Sequence, residues 1–325
     1  MRAAAALALS GRYAAMGRQA AAGLEAWARH AGADLRVEDD RSDPDRSAAL
    51  TVAMAGSADL LFGPYGSGPG RAVAAAMAGR PEPVWNHGAA AVGPRGRARL
   101  VDVLGPARSY WRGLPAVAGG APVALVRAPG GFGAEVAAGA AAALTAAGTP
   151  PAAEVRLDPA RPGDAVDAAV AAGAGWVAGG GRMEDDVALA RAATAAGLRC
   201  ALVVMGVAAA AEALGDAVVG CAGPVQWDGG RQGWPFPLPR DADYPAAQAA
   251  AAGMLAGRAL GLAGDGGSDA LWDAARAMRT ATPLGPFAVD ADGRQTAHAP
   301  AIVRWQPGEH GPVRRVVWRP SVGAP

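Results

Sequence analysis

The side chains able to do acid–base, nucleophilic or metal chemistry are few and scattered in this 325-residue chain. The histidines are His30, His87, His298 and His310, with no H-E-x-x-H among them and no serine in G-x-S-x-G. Cys200 and Cys221 lack CxxC spacing and a nearby histidine, which argues against zinc. Each sits in an apolar run and reads as a small buried core residue; whether the two pair is left open. No lysine occurs, which removes the phosphate-loop amine, the pyridoxal Schiff base and lysine-dependent aldol chemistry. Glu184, Asp185 and Asp186 follow Gly-Gly-Gly-Arg and read as the acidic first turn of a helix. No catalytic residue, metal or cofactor is therefore assigned, and the chain is not read as an enzyme.

Binding chemistry is easier to place. Gly63-Pro64-Tyr65-Gly66-Ser67-Gly68 follows an apolar strand and precedes a helix. Its amides and the Ser67 hydroxyl suit an anion or carbonyl at a positive helix end; a plain turn using glycine for its backbone freedom is the alternative. No G-x-G-x-x-G with a downstream ribose acid accompanies it, which excludes a dinucleotide site. Asn86-His87-Gly88-Ala89-Ala90 leaves the next strand, and Asn86 is the chain's one asparagine. His87 reads equally as a turn histidine. Tyr13 and Met16 border the first loop, and Gly181, Arg182 and Gly206 end later strands. Arg182 is either a partner for a ligand carboxylate or a solvated arginine.

The elements that must hold these loops alternate strand and helix. Strands are expected at 3–9, 35–38, 58–62 and 83–85, with helices at 14–30, 45–55 and 72–78. After a Gly/Pro break near 106–122 the alternation restarts and continues to a strand at 218–222. Two helices, about 242–263 and 268–280, precede strand–turn–strand punctuation at Ala-Asp-Gly and Pro-Gly-Glu-His-Gly. Such repetition means α/β, with parallel sheets flanked by helices. Length suggests two domains. More than a quarter of the residues are alanine, all 30 basic residues are arginine and Ile302 is the lone isoleucine, the signature of a GC-rich genome. A net charge of +1 gives no field for nucleic acid, and the arginines at 95–99 and 314–315 read as surface. No apolar stretch reaches the roughly 20 residues of a transmembrane helix. The apolar N-terminus reads as a first buried strand rather than a signal peptide. On that reading the chain as written is cytoplasmic, or extracytoplasmic if its start lies upstream or a leader was removed.

The blocks LALSGRYAAMGRQAAAGLE, VEDDRSDPDRSAAL, DLLFGPYGSG, VWNHGAAA, GGFGAE and TPLGPFAVDADGRQ, in that order, resemble the type I periplasmic binding proteins. More narrowly, they resemble the Leu/Ile/Val-binding branch that serves ABC transporters. The resemblance implies two Rossmann-like lobes joined by three crossover strands, drawn here as 1–117 with 225–283 and 118–224 with 284–325. It implies a small organic ligand held in a cleft that closes on it, with permease subunits as partners and no nucleic acid. It makes the 87–90 loop a source of backbone contacts, Phe132 an aromatic wall and Trp227 a residue at a lobe crossover. The candidate contacts are thus Tyr13, Met16, Tyr65, Gly66, Ser67, His87, Gly88, Ala89, Ala90, Phe132, Gly181, Arg182, Gly206 and Trp227. A cytoplasmic sensor of the same fold, of the amide-responsive type, is the alternative. Ala90 stands where the family's amino-acid binders carry a hydroxyl, and 207–211 holds no acid for an α-ammonium. An uncompensated buried ammonium is costly. The ligand expected is an amide, an aromatic acid or another small carboxylate rather than a simple α-amino acid.

Overall fold

The computed structural model describes residues 1–230 and 232–320. Contacts divide the chain into two compact units, Met1–Pro106 with Gly229–His298, and Ala107 to Asp228 with the segment from Ala299 onward.

The first unit begins with β1 (Arg2–Leu7), α1 (Ala14–Ala31), β2 (Asp34–Asp39) and α2 (Pro44–Met54). It continues with β3 (Leu60–Phe62), α3 (Ser67–Ala76), β4 (Val84–Asn86) and β5 (Leu100–Asp102). The strands form a parallel sheet ordered β2-β1-β3-β4-β5. Five consecutive residues of β1 are buried, as a strand covered on both faces requires. Asp43 caps α2, accepting from the Arg46 amide at 2.7 Å with Pro44 in the first turn. Gly32 (φ 62°) stops α1.

The second unit holds α4 (Leu114–Ala118), β6 (Val123–Arg127), α5 (Gly130–Ala146), β7 (Ala153–Arg156) and α6 (Pro162–Ala171). Then come β8 (Trp176–Gly179), α7 (Met183–Ala195), β9 (Arg199–Leu202), α8 (Ala209–Leu214) and β10 (Ala222–Val225). The chain returns to the first unit for α9 (Tyr244–Ala263), α10 (Gly267–Ala277) and the hairpin β11 (Thr280–Thr282) and β12 (Gly285–Phe287). It ends in the second with β13 (Ala301–Gln306) and β14 (Val313–Trp318). These two strands add antiparallel to β10, giving a sheet ordered β14-β13-β10-β9-β8-β6-β7.

Alanine and glycine buy close approach here. A Cβ on Gly23 of α1 would lie 2.1 Å from the Ala246 carbonyl of α9, and one on Gly253 would strike Trp27. Bulk is supplied instead by a few large side chains, with Trp85, Trp111 and Trp176 fully buried. The unit boundaries differ from those drawn on the sequence. Residues 107–117 join the second unit because the Arg108 carbonyl sits against Gly139 of α5, 2.0 Å from where a Cβ would be, and Arg304 bonds the Val117 carbonyl at 3.2 Å. Residues 284–298 stay with the first: Gln295 donates to the Val103 carbonyl at 3.2 Å, and the Asp102 amide to the Gly293 carbonyl at 2.8 Å. The strand expected at 218–222 begins only at Ala222, since Val218 ends a 3-10 turn and Gly220 (φ 90°) breaks the extended run.

Candidate functional site

In the first unit, the loops after β1, β3 and β4 carry Tyr13, Tyr65 and His87 at the carboxyl ends of parallel strands, where α/β sheets receive ligands. Tyr13 precedes α1, its amide donating to Ser42 Oγ at 3.0 Å. Its ring meets Tyr65 edge-on, centroids 5.7 Å apart, and the Arg12 guanidinium lies over the Tyr13 ring, 4.7 Å from its centroid. Tyr65 shares a short hydroxyl–hydroxyl hydrogen bond with Tyr244, the first residue of α9. Met16 is half-buried one turn further along α1.

Gly66 (φ 97°) needs its left-handed backbone, and a Cβ there would lie 2.9 Å from Tyr13. This turn lets α3 start at Ser67, five residues before the sequence suggested, and brings its N-terminal amides to the loop. The Ser67 hydroxyl accepts from the Ala91 amide at 3.2 Å, so it ties two loops together. Gly88 sits so close to Tyr65 that a Cβ would lie 2.8 Å from its Cα, and its carbonyl accepts from Gly66 at 2.9 Å.

Asn86 explains itself. Its Oδ1 accepts from the Ala89 and Gly88 amides at 2.9 and 3.3 Å, and its Nδ2 donates to the Ala89 carbonyl at 2.9 Å and to Asp102 at 2.6 Å. Asp102 in turn is held by Arg95. The single asparagine therefore shapes the loop Gly88-Ala89-Ala90 rather than reaching a ligand. His87 is fully buried, with neither ring nitrogen bonded to another group, and burial pushes its pKa down to about 4. It is a neutral imidazole at pH 7.

In the second unit, Phe132 lies in the first turn of α5 and meets Tyr110 edge-on at 5.9 Å. Tyr110 is buried, which raises its pKa to about 12, and it is hydrogen-bonded to Gln226. Trp227 follows and is also buried. Arg182 is half exposed, and its Nε and Nη2 contact both oxygens of Asp185 at 2.9 and 3.4 Å, with Glu184 at 3.5 Å from Nε. This reading of Arg182 is intermediate between the two offered by the sequence: a solvent-facing guanidinium already in ion pairs. Asp186 is buried beneath it, accepting from the Gly181 and Val204 amides, the latter at 3.2 Å, and burial raises its pKa to about 7.

Gly206 ends the turn after β9. A Cβ on it would lie 2.0 Å from the Pro224 carbonyl, one on Gly223 would lie 2.0 Å from the Gly206 amide, and Arg314 donates to the Gly206 carbonyl at 2.7 Å. Gly206 is thus a packing position. Gly206→Ala is expected to cost about 1–3 kcal/mol, as overpacking does, read as a lower urea midpoint with an unchanged slope.

Tyr110, Gln226, Tyr244 and Asp102 were not among the residues singled out from sequence. Each joins the loops through a tertiary contact that no local pattern announces. Elsewhere in the first unit, openings of about 250 Å³ beside Ala26, His30 and Phe236 and about 510 Å³ beside Leu262, Ala270 and Met278 run along helices, away from the strand ends.

A family model described as periplasmic binding protein matches residues 1–231. In fold, the chain is similar to a leucine-binding protein from Thermotoga maritima, at 15% identity and TM-score 0.81, covering 98% of this chain and 99% of that one. It is also similar to an ABC transporter solute-binding protein from R. palustris in complex with 4-hydroxybenzoate, at 17% identity and TM-score 0.79 over 98% and 96% of the chains. A third, from the same organism in complex with benzoate, shares 20% identity at TM-score 0.72 over 97% and 95%. At these identities the likeness is one of fold. No curated protein sequence matches the chain.

Proposed function

Since the chain belongs to the periplasmic binding protein family, with its type I fold, we propose that it binds a small organic carboxylate without transforming it, as the solute-binding component of an ABC importer outside the cytoplasmic membrane. The ligand class favoured is an aromatic acid without a free α-ammonium. The observation that carries this is the occupation of the acids beside the loops. Asp39 is partly desolvated, but the Ser10 hydroxyl and the amides of Arg41, Ser10 and Leu9 hold its pKa below the usual range. Asp40 is buried against Ser42 and Ser47, Asp185 is paired with Arg182, and Asp186 serves two amides. Each of these four carboxylates already accepts from, or pairs with, a group of the protein itself.

What the loops do present suits an aromatic acid. In the first unit, Tyr13 and Tyr65 supply ring edges and faces, and the N-terminus of α3 supplies amides without helical partners for a carboxylate. In the second, taken by itself, the half-buried Phe132 packs on Tyr110 in the first turn of α5. Two of the fold relatives carry benzoate or 4-hydroxybenzoate, and a third is a leucine-binding protein, so fold alone does not choose.

The test is a thermal-shift series with benzoate, 4-hydroxybenzoate, benzamide and leucine. A ligand at one hundred times its Kd stabilises by about 2.7 kcal/mol, through RT ln(1 + [L]/Kd). Saturable stabilisation by the benzoates and none by leucine is expected. Stabilisation by leucine alone overturns the ligand class, and stabilisation by benzamide alone turns the reading toward an amide binder.

A further inference from the structure

Cys200 is the second residue of β9, and Cys221 immediately precedes β10. The parallel register sets Ala201 beside Ala222, so one step back the two cysteines are neighbours across the strands. Partners at one register position of a sheet point to the same face. Accordingly, both side chains lie in one core cluster with Leu202, Val218 and Trp305; the Cys200 thiol donates to the Ala190 carbonyl at 3.8 Å and the Cys221 thiol to the Ala217 carbonyl at 3.9 Å. Neighbouring strands run about 4.8 Å apart, inside the range of about 4.4–6.8 Å between the Cα atoms of a disulfide. Both residues are free thiols. The segment between them, 203–219, contains Gly206.

We propose that Cys200 and Cys221 are a modification site: an intramolecular disulfide forms between them when the protein meets a dithiol–disulfide oxidant, and the bond pins the two ends of the 203–219 segment. The neighbouring Cys200 side chain holds Cys221 below the usual thiol range, so Cys221 is the first nucleophile. Its thiolate attacks one sulfur of the oxidant's disulfide and displaces the other as a thiolate. Cys200 then gives up its proton and attacks the Cys221 sulfur of the mixed disulfide, releasing the oxidant's remaining sulfur. Two thiols of this chain become one S–S bond, and their two electrons and two protons leave with the oxidant as a dithiol. Both sulfurs are buried, so exchange occurs during folding or through local opening of the Gly215–Val218 turn. The inference does not depend on which ligand is bound.

The experiment refolds the full chain with oxidised glutathione or with a reductant, quenches with an alkylating agent in denaturant, and weighs the product. After oxidising refolding, the monomer should carry no alkyl group, weigh two hydrogens less than the reduced chain, and give a linked peptide pair containing Cys200 and Cys221. After reduction it should carry two alkyl groups. Cys200→Ser and Cys221→Ser should each end as a glutathione adduct. Hydrogen exchange of residues 203–219 should be slower in the oxidised form. Two alkylatable thiols after oxidation, adducts on both cysteines, disulfide-linked dimers, or a chain that refolds only under reduction would each overturn the site. Unchanged exchange across 203–219 would overturn the pinning.

Discussion

Asp102→Ala is expected to lower stability by about 3–5 kcal/mol, the cost of stripping one partner from a buried ion pair. Asp102 ends β5 and accepts from Arg95 and from Asn86, all three buried. Arg95 also donates to the Leu100 carbonyl at 2.9 Å and to the Asp292 carbonyl at 3.3 Å, so its charge stays in place when the carboxylate goes. The uncompensated guanidinium is the main cost, and the lost acceptor for Asn86 adds to it. The damage reaches the candidate site, because Asn86 shapes the turn Gly88-Ala89-Ala90. Urea denaturation should show the fall in midpoint. The double variant Arg95→Met/Asp102→Leu should recover much of it, since replacing both partners by apolar groups removes the buried charge altogether. A loss below about 1 kcal/mol for Asp102→Ala, the size seen for exposed pairs, would contradict this account.

Two buried groups should make stability depend on pH in opposite directions. His87 titrates near 4 in the folded protein against 6.5 in a free chain, so its contribution is present above pH 6.5 and is lost as pH falls through 4. The full loss is about 3 kcal/mol. Asp186 titrates near 7 against 3.8, so its contribution is present below pH 3.8 and is lost as pH rises through 7, to about 4 kcal/mol. Between pH 4 and 6.5 the two slopes oppose each other, and the wild-type profile conceals both. Variants separate them. His87→Gln should retain stability relative to wild type on acidification from pH 6.5 to 4, and Asp186→Asn should do so on going from pH 5 to 8. Unfolding free energies at half-unit steps give the slopes. Slopes matching wild type in either variant would remove that residue from the account.

The sequence made the strand-end loops visible because glycine marks them: Gly66 is required by its positive φ, and Gly88 by the closeness of Tyr65. Long alternating segments were equally legible, since α1, β6 and α9 rest on apolar runs bounded by turn residues. The strand β5 was not. Leu100–Asp102 has too few residues to show a period, and its pairing with β4 decides it. Alanine blurred helix faces, so the start of α3 was set by Gly66 and by Gly70 packing on Ala89 rather than by pattern. The lone Asn86 drew attention for its rarity, yet its role depends on Asp102, sixteen residues on. Tyr244 meets Tyr65 across 179 positions, and no local signal carries such a contact.

Calorimetric titration of the full chain with benzoate and with leucine in the same buffer asks whether the protein takes a carboxylate without an α-ammonium. Saturable one-to-one binding of benzoate, weakened by Tyr65→Ala, is expected, with no heat of binding from leucine. Micromolar binding of leucine with none of benzoate would contradict this.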